Sequence, residues 1–218
     1  MDFKGIVIPM EEHGKKQKRK GISRWKSWHQ MIQNRAESHL IDIIFHWILR
    51  YNDKNNIVEE VVQGMIKAFP DKLSRVENEP IVIRKNKKVD KVALISGGGS
   101  GHEPAHAGFV GYGMLDAAVC GEIFTSPGAD KVYNAIKAVD GGKGVLLIIK
   151  NYSGDIMNFE MAGEMAQAEG INVKQVVVDD DIAVENSTYT VGRRGIAGTI
   201  FVHKILGAAA EKGYDLDK

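Results

Sequence analysis

Apolar positions along this chain change their spacing after about residue 70, and the change predicts two kinds of structure. Over residues 38–49, SHLIDIIFHWIL, the residues Leu40, Ile43, Ile44, Trp47 and Ile48 share one stripe at helical spacing. A second helix is expected after Asn56, read as its N-cap, with Ile57, Val58, Val61, Val62, Met65 and Phe69 on one side and Pro70 as its stop. Beyond it, short apolar runs predict strands at 81–84, 92–95, 117–120, 145–149 and 173–178. Longer periodic stretches predict helices at 129–139, 156–169 and 196–211. Strands alternating with helices point to an α/β fold, a mostly parallel sheet covered by helices on both faces, here with an N-terminal helical extension. Ligands in such sheets sit beyond the carboxyl ends of the strands.

Three of the expected strand ends carry polar chemistry. The segment KVALISGGGSGHEP, residues 91–104, joins an interior strand to Gly97, Gly98, Gly99 and Gly101, which we read as a sharp turn. Without a Cβ in the way, backbone N–H groups there can approach a small polar ligand. The run lacks the Lys-Ser/Thr pair of a P-loop and the spacing of a dinucleotide fingerprint, and places His102 where a phosphate binder would place a cation. The strand ending near Ile149 leads into Lys150, Asn151, Tyr152, Ser153, Gly154 and Asp155, and the strand ending at Val178 leads into Asp179, Asp180 and Asp181. In a parallel arrangement His102, Lys150 and Asp155 converge on one rim.

Composition narrows the class. Length is enough for one α/β domain with an appendage, or two small domains. The single cysteine, Cys120, excludes an internal disulfide framework, and no secretory signal pattern or membrane-length apolar run is found. We expect a cytoplasmic protein that binds neither nucleic acid nor membrane; the net charge of +1 exerts no global pull toward either. One local signal opposes this: Lys15, Lys16, Lys18, Arg19, Lys20, Arg24 and Lys26 crowd the N-terminus, where all three tryptophans also lie. A nucleic-acid arm is one reading. A solvated tail before a packing helix is favoured, because aromatics are not interleaved as a stacking platform requires. The boundary is set at residues 1–52 for this leader and 53–218 for the α/β domain, and removal of the leader is expected to spare the pocket.

Five stretches carry a family resemblance: GGGSGHEPAHAGFVGYGMLDAA, GEIFTSPGADKV, GVLLIIKNYSGDIMNFEMA, VVVDDDIAVENSTYTVGRRGIAGT and FVHKILGAAAE. From about Asn55 to the last residue, the chain closely resembles the dihydroxyacetone-binding subunit of dihydroxyacetone (glycerone) kinases, specifically its first domain. The resemblance implies a homodimer that holds dihydroxyacetone and receives a phosphoryl group from a separate nucleotide-binding subunit or domain. It implies no cofactor bound by this chain: the donor, ATP with Mg²⁺ or a partner carrying bound ADP, belongs to the other component. Carried over by position, it implies substrate contacts from Gly99, Ser100, Gly101, His102, Lys150 and Asp155, with His102 and Asp155 catalytic. The residue types agree. A carboxylate can accept the proton of a primary alcohol during phosphorylation, and an imidazole can hydrogen-bond substrate oxygens near neutral pH. Lys150 either supplies charge or anchors its loop.

Two departures accompany the resemblance. The family's covalent histidine, which forms a hemiaminal with the ketone, has no counterpart here and is expected beyond Lys218; residues 1–50 also match nothing in the family. The alternative function is therefore a non-catalytic dihydroxyacetone-binding or regulatory paralogue.

No metal site is expected. Asp179, Asp180 and Asp181 are oxygen ligands of the kind Mg²⁺ takes, but a strand-end turn with one capping aspartate suits a substrate holder better. His106, four residues after His102, has no suitable ligand companions and is read as a satisfied structural histidine, His203 as a packing residue and Cys120 as a small buried hydrophobe. Arg193 and Arg194 fit either an anion-binding turn or a solvated helix entry.

Overall fold

The computed structural model describes residues 55–86, 89–183 and 192–218. The chain divides into two units, Met1–Asn52 and Asp53–Lys218. All described residues belong to the second, so the basic run and the helix expected over 38–49 lie outside them.

Six strands form one sheet: β1 Leu73–Arg75, β2 Ile81–Arg84, β3 Ala93–Ser100, β4 Ala117–Ile123, β5 Val145–Lys150 and β6 Val173–Val178. Their order is β1-β2-β4-β3-β5-β6. β3 is parallel to both β4 and β5, and β5 to β6, whereas β2 runs antiparallel to β1 and β4. β1 is too short for its alternation to register in the sequence.

Four helices complete the domain: α1 Ile57–Ala68, α2 Ala129–Val139, α3 Ser153–Ala168 and α4 Thr199–Glu211, with a single 3₁₀ turn at Ala107–Phe109. Adjacent strand residues feed opposite sheet faces, and the core is divided accordingly. Ile95, Val119, Leu147 and Ile149 pack with Val132 and Ile136 of α2 and Phe159, Ala162 and Ala166 of α3. Leu94, Ala118 and Ile148 pack instead with Val62 of α1, Val110 and Ala210 of α4. One core cluster thus includes α2 and α3 and the other α1 and α4. A fully buried side chain such as Phe159 contributes about 1.5–3 kcal/mol relative to exposure.

One local expectation is met in position only, and two need correction. Asn56 holds the position before α1, but its side chain makes no capping bond; its carbonyl accepts Glu60 N–H at 2.9 Å, and Glu59 and Glu60 face the positive helix end. The glycine run is not a turn after β3: the strand continues through Gly97, Gly98 and Gly99 to Ser100, pairing Gly98 with Cys120 and Gly99 with Gly121. The glycines serve close packing, since a Cβ on Gly97 would meet Val119 O at 2.5 Å and one on Gly99 would meet Thr125 N at 2.6 Å. Finally, α3 begins at Ser153 and α4 at Thr199, so Asp155 stands in a first helical turn and not in a loop.

α4 buries polar and small residues in place of its larger apolar ones. Its buried residues are Thr199, His203, Gly207 and Ala210, while Phe201 and Ile205 are exposed. Gly207 explains the orientation, because its bare backbone allows contact with Gly113, which a Cβ would overlap. At its far end, Glu211 binds Arg84 Nη1 at 2.5 Å, and Arg84 shares Asp116 with buried Lys91, whose Nζ lies 2.5 Å from Asp116 Oδ2. This ion network ties α4 to the sheet.

Candidate functional site

The connection from β3 runs to β4 on one side and that from β5 runs to β6 on the other, so the carboxyl ends of these adjacent strands form a topological switch point. The paired register reaches Ser96 with Ile148, and continuing it two residues sets Gly98 level with Lys150. Lys150 is 2 % exposed. Its Nζ donates to Gly97 O at 3.1 Å and lies 3.2 Å from Asp155 Oδ2. A Cβ on Gly98 would overlap the ammonium group, so the missing side chain is what admits the cation. Asp155 is also buried, and its Oδ1 has no hydrogen-bond partner among the described residues. Buried carboxylate oxygens normally have partners, so this one calls for a donor.

The other expected residues lie at the end of β3 and in the loop that follows it. Ser100 is largely buried and donates to Gly121 O at 2.7 Å, which spends its proton on pinning β3 to β4. Gly101 N–H donates to the Glu103 carboxylate at 3.0 and 3.2 Å. His102 meets Phe124 edge-on, with ring centroids 5.1 Å apart. The loop after β4 connects the two halves of the rim: Phe124 N–H donates to Ser100 O at 2.8 Å, and a Cβ on Gly154 would lie 2.8 Å from Ser126 Oγ. The stretch from Phe124 to Ser126 thus joins the His102 side to the first turn of α3, where Asp155 stands. Sequence reading assigned it no role; the available signal was GEIFTSPG, whose Gly121 leaves room for the returning backbone at Thr125.

Beneath this rim, His106 Nδ1 lies 3.0 Å from His203 Nε2. His203, read as a packing residue, is fully buried, whereas His106, read as satisfied, is not wholly so: His106 Nε2 and His203 Nδ1 have no partners among the described residues. Burial first, then the charge of Lys150, then His203 and His102, hold His106 well below the usual imidazole range. Burial and Lys150 likewise push His203 down to about 4. Both are neutral at physiological pH. His106 also lines a cavity of about 250 Å³ with Gly98, Gly99, Ser100, Cys120 and Val62. A larger cavity, about 490 Å³, lies apart from the Lys150–Asp155 pair, between Phe69, Arg84 and Tyr112.

The remaining candidates divide. Asp180 Oδ2 accepts Gly198 N–H at 2.7 Å just before α4, and Asp181 accepts Ala183 N–H at 3.2 Å. These aspartates therefore hold backbone; among the described residues no group of three ligating side chains is placed to hold a metal. Asn151 donates to Arg193 O at 2.7 Å, and the Arg194 guanidinium lies over the Tyr152 ring, 5.4 Å from its centroid. Cys120 is only half-buried as a residue, yet burial of the thiol pushes it up to about 12, which removes it as a nucleophile.

Residues 63–218 match the Dak1 domain. The chain belongs to the Dak1 family. This Dak1 chain is 60 % identical over 167 residues to the PTS-dependent dihydroxyacetone kinase 1, dihydroxyacetone-binding subunit, of Listeria innocua, an alignment covering 77 % of this chain and 51 % of that protein. It spans about half the length of the curated bacterial subunits it matches. Its fold is similar to the crystal structure of the dihydroxyacetone kinase of C. freundii, at TM-score 0.72 and 51 % identity, over 77 % of this chain and 31 % of that one. It is also similar to a dihydroxyacetone kinase operon co-activator, at TM-score 0.69 and 44 % identity, over 73 % and 49 % of the two chains. Among the described residues of the Dak1 chain, no helix is long and apolar enough to cross a membrane.

Proposed function

We propose that this chain binds dihydroxyacetone at the ends of β3 and β5 and presents a primary hydroxyl for phosphorylation to dihydroxyacetone phosphate. The observation carrying this reading is the buried Lys150–Asp155 pair beside Gly98, with Asp155 Oδ1 unpartnered among the described residues. A ligand hydroxyl donating to Oδ1 satisfies that oxygen. As the hydroxyl oxygen bonds to phosphorus, its O–H bond breaks and the proton passes to Asp155, while the bond from phosphorus to the donor's leaving group breaks.

Lys150 has three N–H donors. One reaches Gly97 O and one faces Asp155 Oδ2, leaving a third for a ligand oxygen. His102 hydrogen-bonds a second substrate oxygen from its place at the edge of Phe124. Gly99 and Ser100 form the strand wall, and a ligand that reaches Gly101 N–H must displace the Glu103 carboxylate. The phosphoryl donor, ATP with Mg²⁺ or a partner carrying ADP, comes from a separate nucleotide-binding component, and the working assembly is a cytoplasmic homodimer.

The 44 % identity to an operon co-activator favours one second reading, a ligand-responsive regulatory module. Mixing the chain with dihydroxyacetone and a nucleotide-binding kinase component carrying its donor separates the two. Formation of dihydroxyacetone phosphate is expected; binding without turnover would support the regulatory reading.

A further inference from the structure

α4 turns a polar stripe inward. Thr199 and His203 are fully buried, and Phe201 and Ile205 are left outside. Burying an imidazole in place of an available phenyl or sec-butyl group is unfavourable for the core unless the ring makes a specific interaction. His203 makes one, with His106 Nδ1 at 3.0 Å, and His106 in turn borders the cavity against Gly98, Gly99 and Ser100. Phe109 packs beside His203, with ring centroids 6.3 Å apart, so the second ring is confined as well as bonded.

Two neutral imidazoles in contact have a definite logic. One ring nitrogen of the pair must donate and the other accept, so the state of His203 dictates whether His106 Nδ1 carries a proton, and therefore whether its Nε2 is an N–H or a bare lone pair. That Nε2 has no partner among the described residues although it is sealed from solvent. We infer that His106 and His203 form a positioning pair: the contact from α4 couples the tautomer of His106 to that of His203, and His106 Nε2 makes one hydrogen bond of matching polarity to an oxygen of a small hydroxy ketone held beside Gly98. This rests on the binding reading proposed above and adds two residues to it. It makes the hydrogen-bonding character of the ligand, and not only its size, a condition of tight binding.

The test is titration of the whole chain with dihydroxyacetone, with imidazole ¹⁵N resonances as the second readout. In wild type, His106 is expected in a single neutral tautomer whose Nε2 resonance shifts on ligand addition. His203→Phe fills the same space without a ring nitrogen and should mix the tautomers of His106 and weaken binding about 5- to 10-fold, the loss of one positioned hydrogen bond. His203→Gln, which retains a hydrogen-bonding group, should recover most of that loss. If wild type binds but His203→Phe binds equally well, the pair has no positioning role and this inference fails alone. If wild type does not bind at all, the binding reading itself fails. Should His203→Phe not fold, the wild-type Nε2 resonance decides: no shift on saturation would overturn the inference.

Discussion

Lys150 and Asp155 face one another at the switch point, Nζ 3.2 Å from Oδ2, one on the last residue of β5 and the other in the first turn of α3. Only Tyr152 and its neighbours separate them in sequence. The pair therefore reports how tightly the strand-to-helix turn is built, and each partner is costly without the other.

Lys150→Met should destabilise the chain by about 3–5 kcal/mol, because it leaves the Asp155 carboxylate buried and uncompensated. Adding Asp155→Asn to it should restore part of that loss. Urea midpoints of wild type, single and double variants check this; a double variant no more stable than Lys150→Met would show that the pair is not coupled.

Gly98→Ala and Gly121→Ala are expected to fail differently. The added methyl on Gly98 overlaps the Lys150 ammonium group at a backbone φ of +157°, so the substitution strains β3 and parts the cation from buried Asp155, and both stability and ligand binding fall. The methyl on Gly121 meets the Thr125 carbonyl, which is backbone, so the loop carrying Phe124 must move and thermal stability falls. Melting temperature and dihydroxyacetone titration of both variants test the contrast. Ligand binding weakened no more by Gly98→Ala than by Gly121→Ala would contradict it.

Stability should fall as pH drops through the histidine range. Unfolded histidine titrates near pH 6.5, whereas burial and then Lys150 hold His203 at about 4 in the fold. Between these values the unfolded chain binds a proton that the folded chain refuses, so stability rises with pH across the window and is lost on acidification from about 6.5 toward 4. His106 acts in the same direction, through burial, Lys150, His203 and His102. His203→Gln should therefore flatten the dependence of the urea midpoint on pH. An unchanged slope would mean that His203 is not held neutral.

Much of the architecture was legible because it rests on strong periodicity. The run from Val145 to Ile149 reads as a strand and residues 129–139 as a helix; both are found so. The glycines misled, because a glycine run has no period: the same residues allow a turn or a strand pressed against neighbours, and Val119 and Thr125, distant in sequence, decided between them. His106 and His203 lie 97 positions apart, so each alone looks structural and only the fold brings their ring nitrogens together. Asn56 has the chemistry of a cap, but its side chain is not turned to use it.

Asp155→Asn should lower phosphoryl transfer by about 10² to 10⁴ when the chain is supplied with a nucleotide-binding component and its donor, since an amide oxygen does not take up the hydroxyl proton. Initial rates of dihydroxyacetone phosphate formation give the answer. Near-normal turnover would assign the proton acceptor to another residue.

The central claim, that dihydroxyacetone sits beside Lys150 and Asp155, is tested most directly by amide chemical-shift mapping of the labelled chain during titration with the ketone. The account predicts saturable shifts concentrated at Gly97, Gly98, Gly99, Gly101 and His102 and from Lys150 to Asp155, with the residues around Tyr112 and Arg84 unchanged. Shifts confined to that second cavity, or no saturable shift in the presence of excess ligand, would contradict it.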